Sequence, residues 1–234
     1  MFWTSPLILR LRDLARLIGL NRVVGRWIHS RGYEDRFGSA LLSAVRPGDT
    51  VWDIGANVGL YSELFVAAVG PAGKVIAFEP TVECFEELTR RFADTMTIHA
   101  INAAVGASDG TVVMEVADAA LAPTHRVIPG KPADSRNARI VSLRSARSLC
   151  REYPQWFPNV VKIDVEGHEG AVIEGFGELL GDSRLRAVGV EMHFGLLGGR
   201  LEKQTPATIE RTLCAAGFVV KWTDPSHLVA IKSG

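Results

Sequence analysis

The chain alternates short apolar runs with longer stretches whose apolar residues recur at helical spacing. The runs at residues 50–54, 74–78, 97–102, 160–164 and 187–192 have the length of buried strands. Helical patterns fill residues 60–69, 81–92, 169–180 and 205–216. Strands that alternate with such helices form βαβ units, so we predict a doubly wound α/β fold with a mostly parallel sheet. Residues 218–222 and 227–231 predict a closing hairpin.

Two helices are predicted ahead of the first strand. The first covers residues 3–30, and the second covers residues 37–45, where Arg46-Pro47-Gly48-Asp49 forms a strong turn signal. We therefore divide the chain into an N-terminal helical cap, residues 1–46, and a domain with a single core, residues 47–234.

The first helix is amphipathic, with arginines opposite its apolar side. That side carries Leu7, Leu11, Leu14 and Ile18. Such a helix packs on its own domain, forms a homodimer contact, or lies as a basic helix on a membrane surface as a peripheral contact. The pattern does not choose among these interpretations.

The middle of the chain departs from the alternation. Residues 111–116 predict an added strand, and residues 118–139 show no periodicity. A stretch of this length is typical of a functional loop, a lid or a disordered segment. Its basic residues are His125, Arg126, Lys131, Arg136 and Arg139. They either hold an acidic substrate or belong to a solvated loop.

Composition narrows the class of protein. The chain has 234 residues, of which 47% are hydrophobic, which suits one α/β domain. Lys plus Arg number 26, as do Asp plus Glu, so bulk charge does not favour a nucleic-acid partner. Three scattered cysteines indicate thiols in a reducing compartment, and no apolar run reaches ~20 residues. We therefore expect a cytoplasmic protein.

The turn after the first strand carries the sharpest chemical signal, because doubly wound sheets bind ligands at the carboxyl ends of their strands. Gly55 and Gly59 let the backbone approach a ligand, but their spacing is not the G-x-G-x-x-G of dinucleotide sites. Asp53 would repel a pyrophosphate, whereas it suits the α-ammonium of S-adenosylmethionine. The turn therefore favours S-adenosylmethionine over NAD.

Glu79 supports this cofactor. It follows the second strand, 20 residues after Gly59, where a carboxylate can accept both ribose hydroxyls. NAD-binding proteins use the same device, so Glu79 gains its meaning from the combination with Asp53 and the two glycines.

These residues resemble the FkbM-type methyltransferases, a branch of the class I S-adenosylmethionine-dependent enzymes. The specific strings are Asp-Ile-Gly-Ala-Asn at residues 53–57 and Lys-Ile-Asp-Val-Glu-Gly at residues 162–167. Weaker matches lie in family order at residues 33–34, 77–80, 102–106 and 190–192. The match departs at Arg144 and Ser145, where the family commonly has two aspartates.

The resemblance implies a Rossmann-like, seven-stranded sheet with an antiparallel C-terminal hairpin, and O-methylation of a hydroxyl on a sugar, glycan or secondary metabolite. It also implies a cofactor site with four parts. They are Asp53, Gly55, Asn57 and Gly59 at the methionine moiety, Glu79 and Pro80 at the ribose, Asn102 and Ala103 near the adenine, and Tyr33 and Glu34 closing over the cofactor.

Methyl transfer to a hydroxyl needs an in-line oxygen and removal of its proton. The candidate residues at the ends of the fourth and fifth parallel strands are Asp164, Glu166, Glu191 and His193. We predict that Asp164 lines the pocket of the methyl group and that His193 accepts the proton, because its ordinary pKa suits that task. Asp164, Glu191 and His193 also offer ligand atoms for a divalent ion, but no local spacing demands one, so metal use stays open.

Two other functions stay open: an N-methyltransferase and a non-catalytic S-adenosylmethionine-binding module. Residues 164–167 lack the Pro-Pro-aromatic string typical of amino-group nucleic-acid methylases. The full set of cofactor residues argues against a non-catalytic module. We therefore predict a small-molecule or glycan acceptor and no nucleic acid.

Overall fold

The computed structural model describes residues 34–115, 126–127, 138–193 and 205–232. The predicted helix of residues 3–30 and Tyr33 lie outside these ranges, as does most of the basic stretch of residues 118–139. None of the helices within the described ranges is long and apolar enough to cross a bilayer.

The elements of the described ranges are numbered in chain order. The α-helices are α1 (Glu34–Leu42), α2 (Leu60–Val69), α3 (Val82–Arg91), α4 (Ala146–Glu152), α5 (Glu169–Phe176) and α6 (Pro206–Ala215). The strands are β1 (Thr50–Ile54), β2 (Lys74–Phe78), β3 (Ile98–Ile101), β4 (Ala104–Gly106), β5 (Gly110–Glu115), β6 (Arg126–Val127), β7 (Ala138–Ser145), β8 (Val160–Ile163), β9 (Ala187–Glu191), β10 (Phe218–Trp222) and β11 (His227–Lys232). Two 3₁₀ turns cover Pro154–Trp156 and Gly177–Gly181.

Seven strands form the main sheet in the order β10-β11-β9-β8-β1-β2-β3. Neighbours from β9 to β3 pair in parallel, and β11 runs antiparallel to both β9 and β10. The predicted doubly wound sheet and its antiparallel hairpin are therefore confirmed. The chain moves outward from β1 to β3 and returns to β8 on the other side of β1, so the topological switch lies between β1 and β8.

Both faces of the main sheet are covered. Trp52 and Ile54 of β1 belong to the larger apolar cluster, whereas Val51 packs in a second cluster with Phe37 and Phe65. Strands buried on both faces read as continuous apolar runs rather than alternating ones. This is why the sequence pattern located β1, β2 and β8 so closely.

Helix α1 is part of this packing. Phe37 and Leu41 are wholly buried, and the Phe37 ring lies 4.6 Å from the His227 ring of β11. The described part of the predicted N-terminal cap therefore packs directly on the sheet. The division of the chain at residue 46 stays a prediction.

A second sheet has four strands in the order β4-β7-β5-β6. Strand β5 confirms the added strand predicted at residues 111–116. The interpretation of residues 118–139 as a loop, a lid or a disordered segment is wrong in part, because β6 and the start of β7 lie within it. Strand β7 pairs with the distant β5, and it exposes Ile140 while burying Val141. Such long-range pairing leaves no clear local pattern.

The departure from the family pattern at residues 144–145 is a helix start. Ser145 precedes α4, and its side chain accepts a hydrogen bond from the Ser148 amide at 3.2 Å. Asp109 accepts hydrogen bonds from the Ser145 amide at 2.7 Å and from the Ser148 hydroxyl at 2.6 Å. Arg144 forms an ion pair with Glu152. Serine is a favoured N-cap residue, so this position keeps a capping role.

Candidate active site

The carboxyl ends of β1 and β8 meet at the switch point. In the described part of the chain, the non-glycine residues with positive φ are Asn57 (52°) and Glu166 (47°), and each follows one of these two strands. This conformation costs of order 1–3 kcal/mol and tends to occur at functional sites. The backbone is therefore least regular where the sequence predicts a ligand.

Gly55 lets the two strand ends approach each other. Its φ is 79°, and a Cβ added there would lie 1.8 Å from the backbone oxygen of Asp164. The amides of Gly55 and Ala56 both donate to the Phe78 oxygen at 3.0 Å, which ties the turn to β2 as well. Gly59 begins α2 with a φ of 85°. Both predicted glycines thus lie in the turn, and the packing of three strands explains why Gly55 is a glycine.

Asp53 is wholly buried next to a buried lysine. Its register partner on β8 is Lys162, whose Nζ lies 3.3 Å from Asp53 Oδ1. The Ser62 hydroxyl donates to Asp53 Oδ2 at 2.7 Å. Lys162 Nζ also lies 3.3 Å from Asp164 Oδ2 and donates to the Gly55 oxygen at 3.1 Å. One lysine therefore connects the turn, β1 and the end of β8.

The charge of Lys162 is maintained by its neighbours. Burial alone would lower the pKa of Lys162, but the negative charges of Asp53, Asp164 and Glu191 outweigh burial and raise this pKa above its ordinary value. The lysine remains protonated and neutralises Asp53. A neutralised Asp53 would repel a pyrophosphate only weakly, and contact of Asp53 with the cofactor ammonium stays a prediction.

Glu79 holds the glycine turn from the side of β2. Its Oε2 accepts a hydrogen bond from the Asn57 amide at 2.9 Å. Its Oε1 accepts two, from the Thr81 amide at 2.9 Å and the Thr81 hydroxyl at 2.7 Å. A carboxylate oxygen has two lone pairs, so Oε2 keeps capacity for one further donor. This free acceptor capacity fits a ribose hydroxyl, which would donate to Oε2.

Asn102 joins the segments after β2 and β3. Its Nδ2 donates to the Glu79 oxygen at 2.9 Å and to the Pro80 oxygen at 3.1 Å. Ala103 is buried beside it. The structure thus brings Glu79, Pro80 and Asn102 together, as their predicted roles at the ribose and adenine require. Glu34 begins α1, and its backbone alone is described.

A second group of side chains lies at the ends of β8 and β9. His193 Nε2 lies 3.4 Å from Glu166 Oε2, 3.7 Å from Glu191 Oε1 and 3.8 Å from Asp164 Oδ1. Its Nδ1 lies 2.6 Å from Glu169 Oε1. Three of the four residues that the sequence proposes for catalysis therefore lie around the imidazole of the fourth, His193, and Glu169 completes the group.

The charges in this group shift the pKa values in opposite directions. Burial alone would lower the pKa of His193, but the hydrogen bond to Glu169 and the charges of Glu166, Glu169 and Asp164 raise it to about 9. Burial would raise the pKa of Glu191, but the bond from His227 and nearby cations lower it to about 2. Burial and Glu191 raise the pKa of Asp164. His193 is thus protonated at neutral pH in the free protein, and it can accept a proton only after a ligand has displaced the one it carries.

Three residues of this region were not singled out from the sequence as site residues: Lys162, Glu169 and His227. Lys162 did carry a usable signal, because a lysine inside the apolar run of β8 must be paired when that strand is buried. Glu169 gave no such signal, because an acidic residue is common in the first turn of a helix. His227 lies in the hairpin, far in sequence from Glu191, and only the sheet order brings them together.

We expect the free energy of unfolding, measured with a chelator present, to fall as the pH rises from about 6.5 past about 9. His227 Nδ1 lies 2.8 Å from Asp224 Oδ1, and its Nε2 lies 3.4 Å from Glu191 Oε2. Burial lowers the pKa of His227, but these carboxylates outweigh burial and raise it from 6.5 to about 9. A raised folded-state pKa adds stability that is complete below 6.5 and is lost as the pH passes 9, on the order of 3 kcal/mol here.

Denaturant titrations from about pH 6 to about pH 9.5 measure this dependence. His227→Gln should reduce the slope, whereas His99→Gln, a change at an exposed histidine, should keep it. Equal slopes in His227→Gln and the unmodified protein would contradict the assignment to His227.

The chain is similar to known methyltransferases. A family model described as the methyltransferase FkbM domain matches residues 53–220. The hexuronic acid methyltransferase AglP of Haloferax volcanii is 28% identical over 195 residues, which cover 82% of this chain and 76% of that protein. The methyltransferase sdnD of Sordaria araneosa is 27% identical, with 54% of this chain and 60% of that protein covered.

A solved structure of a candidate rRNA methylase from Clostridium thermocellum superposes with a TM-score of 0.51 at 12% identity. The superposition covers 86% of this chain and 97% of that one, which shows a shared fold. The matched region of the family model includes the glycine turn, Glu79 and the His193 group. The chain belongs to the FkbM family of S-adenosylmethionine-dependent methyltransferases.

Proposed function

We propose that the protein transfers a methyl group from S-adenosylmethionine to a hydroxyl of an acidic sugar, either free or within a glycan. The observation that carries the proposal is the juxtaposition of two sites at the switch point. The backbone of Asp164 abuts the glycine turn at Gly55, while the Asp164 side chain belongs to the group around His193. A cofactor held by the turn would therefore lie next to polar groups able to bind a hydroxyl.

The residues present fit the cofactor in three places. Glu79 keeps acceptor capacity for the ribose, Asn102 lies beside it, and the backbone from Gly55 to Asn57 lines the turn. When bound, S-adenosylmethionine supplies a methyl group on a positively charged sulfur, and the acceptor oxygen displaces that sulfur from the methyl carbon in line. The chain contributes the position and orientation of that oxygen.

The acceptor hydroxyl would meet Asp164 and Glu191 first. Their side chains are 30% and 26% exposed, whereas the His193 side chain is 3% exposed. Either carboxylate can accept the hydrogen bond of a hydroxyl and align its lone pair. The choice of an acidic sugar rests on AglP, which is named a hexuronic acid methyltransferase.

Calorimetric titration with S-adenosylhomocysteine tests the cofactor site. Glu79→Gln is expected to weaken binding by about 1–3 kcal/mol, or about five- to 150-fold, because a charged acceptor is lost. Glu83→Gln changes an exposed carboxylate in the first turn of α3 and should bind like the unmodified protein. Equal binding by all three proteins would remove Glu79 from the cofactor site.

The acceptor class is tested by incubating the protein with labelled S-adenosylmethionine and matched pairs of sugars, such as glucuronic acid and glucose. We expect methyl ethers on the uronic acid. Label on amines alone would favour an N-methyltransferase. Cofactor binding without turnover of any acceptor in a broad panel would favour a non-catalytic module.

A further inference from the structure

Three ligand atoms converge at the carboxyl ends of β8 and β9. One atom each from Asp164, Glu191 and His193 lies within 4.8 Å of the other two. His193 Nε2 is 3.8 Å from Asp164 Oδ1 and 3.7 Å from Glu191 Oε1. An ion with ligands at about 2.1 Å holds them at most about 4.2 Å apart. Both distances from His193 Nε2 meet this limit, and the two carboxylate oxygens need to approach each other by less than about 1 Å.

The orientation of the imidazole is a second, independent observation. Glu169 is wholly buried, and its Oε1 binds His193 Nδ1 at 2.6 Å and the Gly167 amide at 2.9 Å. This contact makes Nδ1 a donor to Glu169 and turns Nε2 toward the other carboxylates, where a cation would replace the Nε2 proton. Histidines that bind metals are usually held from behind by a carboxylate in this way. An acidic surface patch would not need such a buried support.

The charge balance is the third observation. Within the described ranges, the connected ion-pair network holds six carboxylates but only three basic side chains. The carboxylates are Asp53, Asp164, Glu166, Glu169, Glu191 and Asp224, and the basic side chains are Lys162, His193 and His227. Glu169 Oε2 is buried and accepts no hydrogen bond. Buried negative charge in excess is costly unless a cation compensates it.

We propose that Asp164, Glu191 and His193 bind a divalent cation of the Mn²⁺ class, with Glu169 as a positioning residue behind His193. Two carboxylate oxygens and one imidazole nitrogen suit Mn²⁺ better than Mg²⁺, which prefers oxygen ligands and retained waters. The cation takes the place next to Nε2 and balances part of the excess charge.

The position of the cation also gives it a role, and this role rests on the proposed function. A hydroxyl that binds the cation is oriented and gives up its proton more readily. The proton would pass to a neighbouring carboxylate outside the ligand set, Glu166, while the oxygen bonds to the methyl carbon and the sulfur leaves with S-adenosylhomocysteine.

The test is a titration of the full chain with Mn²⁺, followed by electron paramagnetic resonance of the free ion, with and without S-adenosylhomocysteine. We expect one saturable site per chain. Asp164→Asn and Glu191→Gln should weaken Mn²⁺ binding at least about tenfold, and Glu169→Gln about 10- to 100-fold. Glu178→Gln alters a carboxylate that is 78% exposed and should bind Mn²⁺ as the unmodified protein does. Thermal unfolding verifies that each variant is folded. If Glu191→Gln or Glu169→Gln is unfolded, Mn²⁺ binding by Asp164→Asn decides the test.

The outcomes separate this inference from the proposed function. Absence of saturable Mn²⁺ binding, or equal binding by Asp164→Asn and Glu178→Gln, overturns the cation site. If S-adenosylhomocysteine still binds in that case, the methyltransferase proposal stands without the cation. Site-specific Mn²⁺ binding without any binding of S-adenosylhomocysteine supports the cation site and removes the proposed function.

Discussion

Gly55→Ala is expected to lower methyl transfer by about 100-fold or more and the free energy of unfolding by about 2–5 kcal/mol. The new Cβ would lie 1.8 Å from the Asp164 oxygen, so β1 and β8 must separate. Separation moves the glycine turn away from the Asp164 side chain, and a displacement near 1 Å is enough to cost about two orders of magnitude in rate. Activity assays and denaturant titrations measure the two losses.

Gly48→Ala is the matched control for this substitution. Gly48 has a φ of 86°, close to the 79° of Gly55, but a Cβ there meets nothing within 4 Å. It therefore carries the backbone cost of about 1–2 kcal/mol without the steric one, and methyl transfer should be unchanged. Equal activity losses in the two variants would show that the contact with Asp164 is unimportant.

Lys162→Met is expected to lower the free energy of unfolding by about 3–5 kcal/mol, because it leaves Asp53 buried without its cation. Asp53 would then keep the Ser62 hydroxyl as a hydrogen-bond donor. Lys221→Met, a change at an exposed lysine of β10, should stay within about 0.5 kcal/mol of the unmodified protein.

A double variant separates charge from packing. Asp53→Asn in the Lys162→Met background removes the stranded charge, so part of the lost stability should return. The two substitutions are then strongly non-additive, as contacting residues are. Additive losses would mean that the ion pair contributes little and that the lysine stem packs instead.

The sequence was most informative where structure is local. The bounds of β1 and β2 follow directly from the length of each apolar run, because parallel strands are buried on both faces. The helix predicted over residues 169–180 ends instead at Phe176, since Gly177 has a φ of 52° and a 3₁₀ turn follows. A glycine in this conformation commonly ends a helix, and this signal was available.

The sequence was least informative where distant segments pair. The second sheet depends on β5 and β7, which are separated by a stretch without periodicity. Pairing of distant segments also limits how many site residues the sequence can predict. Asp53 and Glu79 could be found from the sequence because Asp53 lies within one apolar run and Glu79 directly follows another. The partner of Asp53 could not, because Lys162 becomes its neighbour only through the register of β1 and β8.

The order of the main sheet has a consequence for biosynthesis. Strand β11 lies between β9 and β10 and pairs with both. Until residue 232 has left the ribosome, one edge of β9 therefore presents unpaired backbone N–H and C=O groups, which invite pairing between chains. His227 arrives with the same strand, so Glu191 gains this histidine as a partner only once β11 has paired with β9. Rapid closure of β11 therefore protects this edge, and the side chains at its end, from contact with other chains.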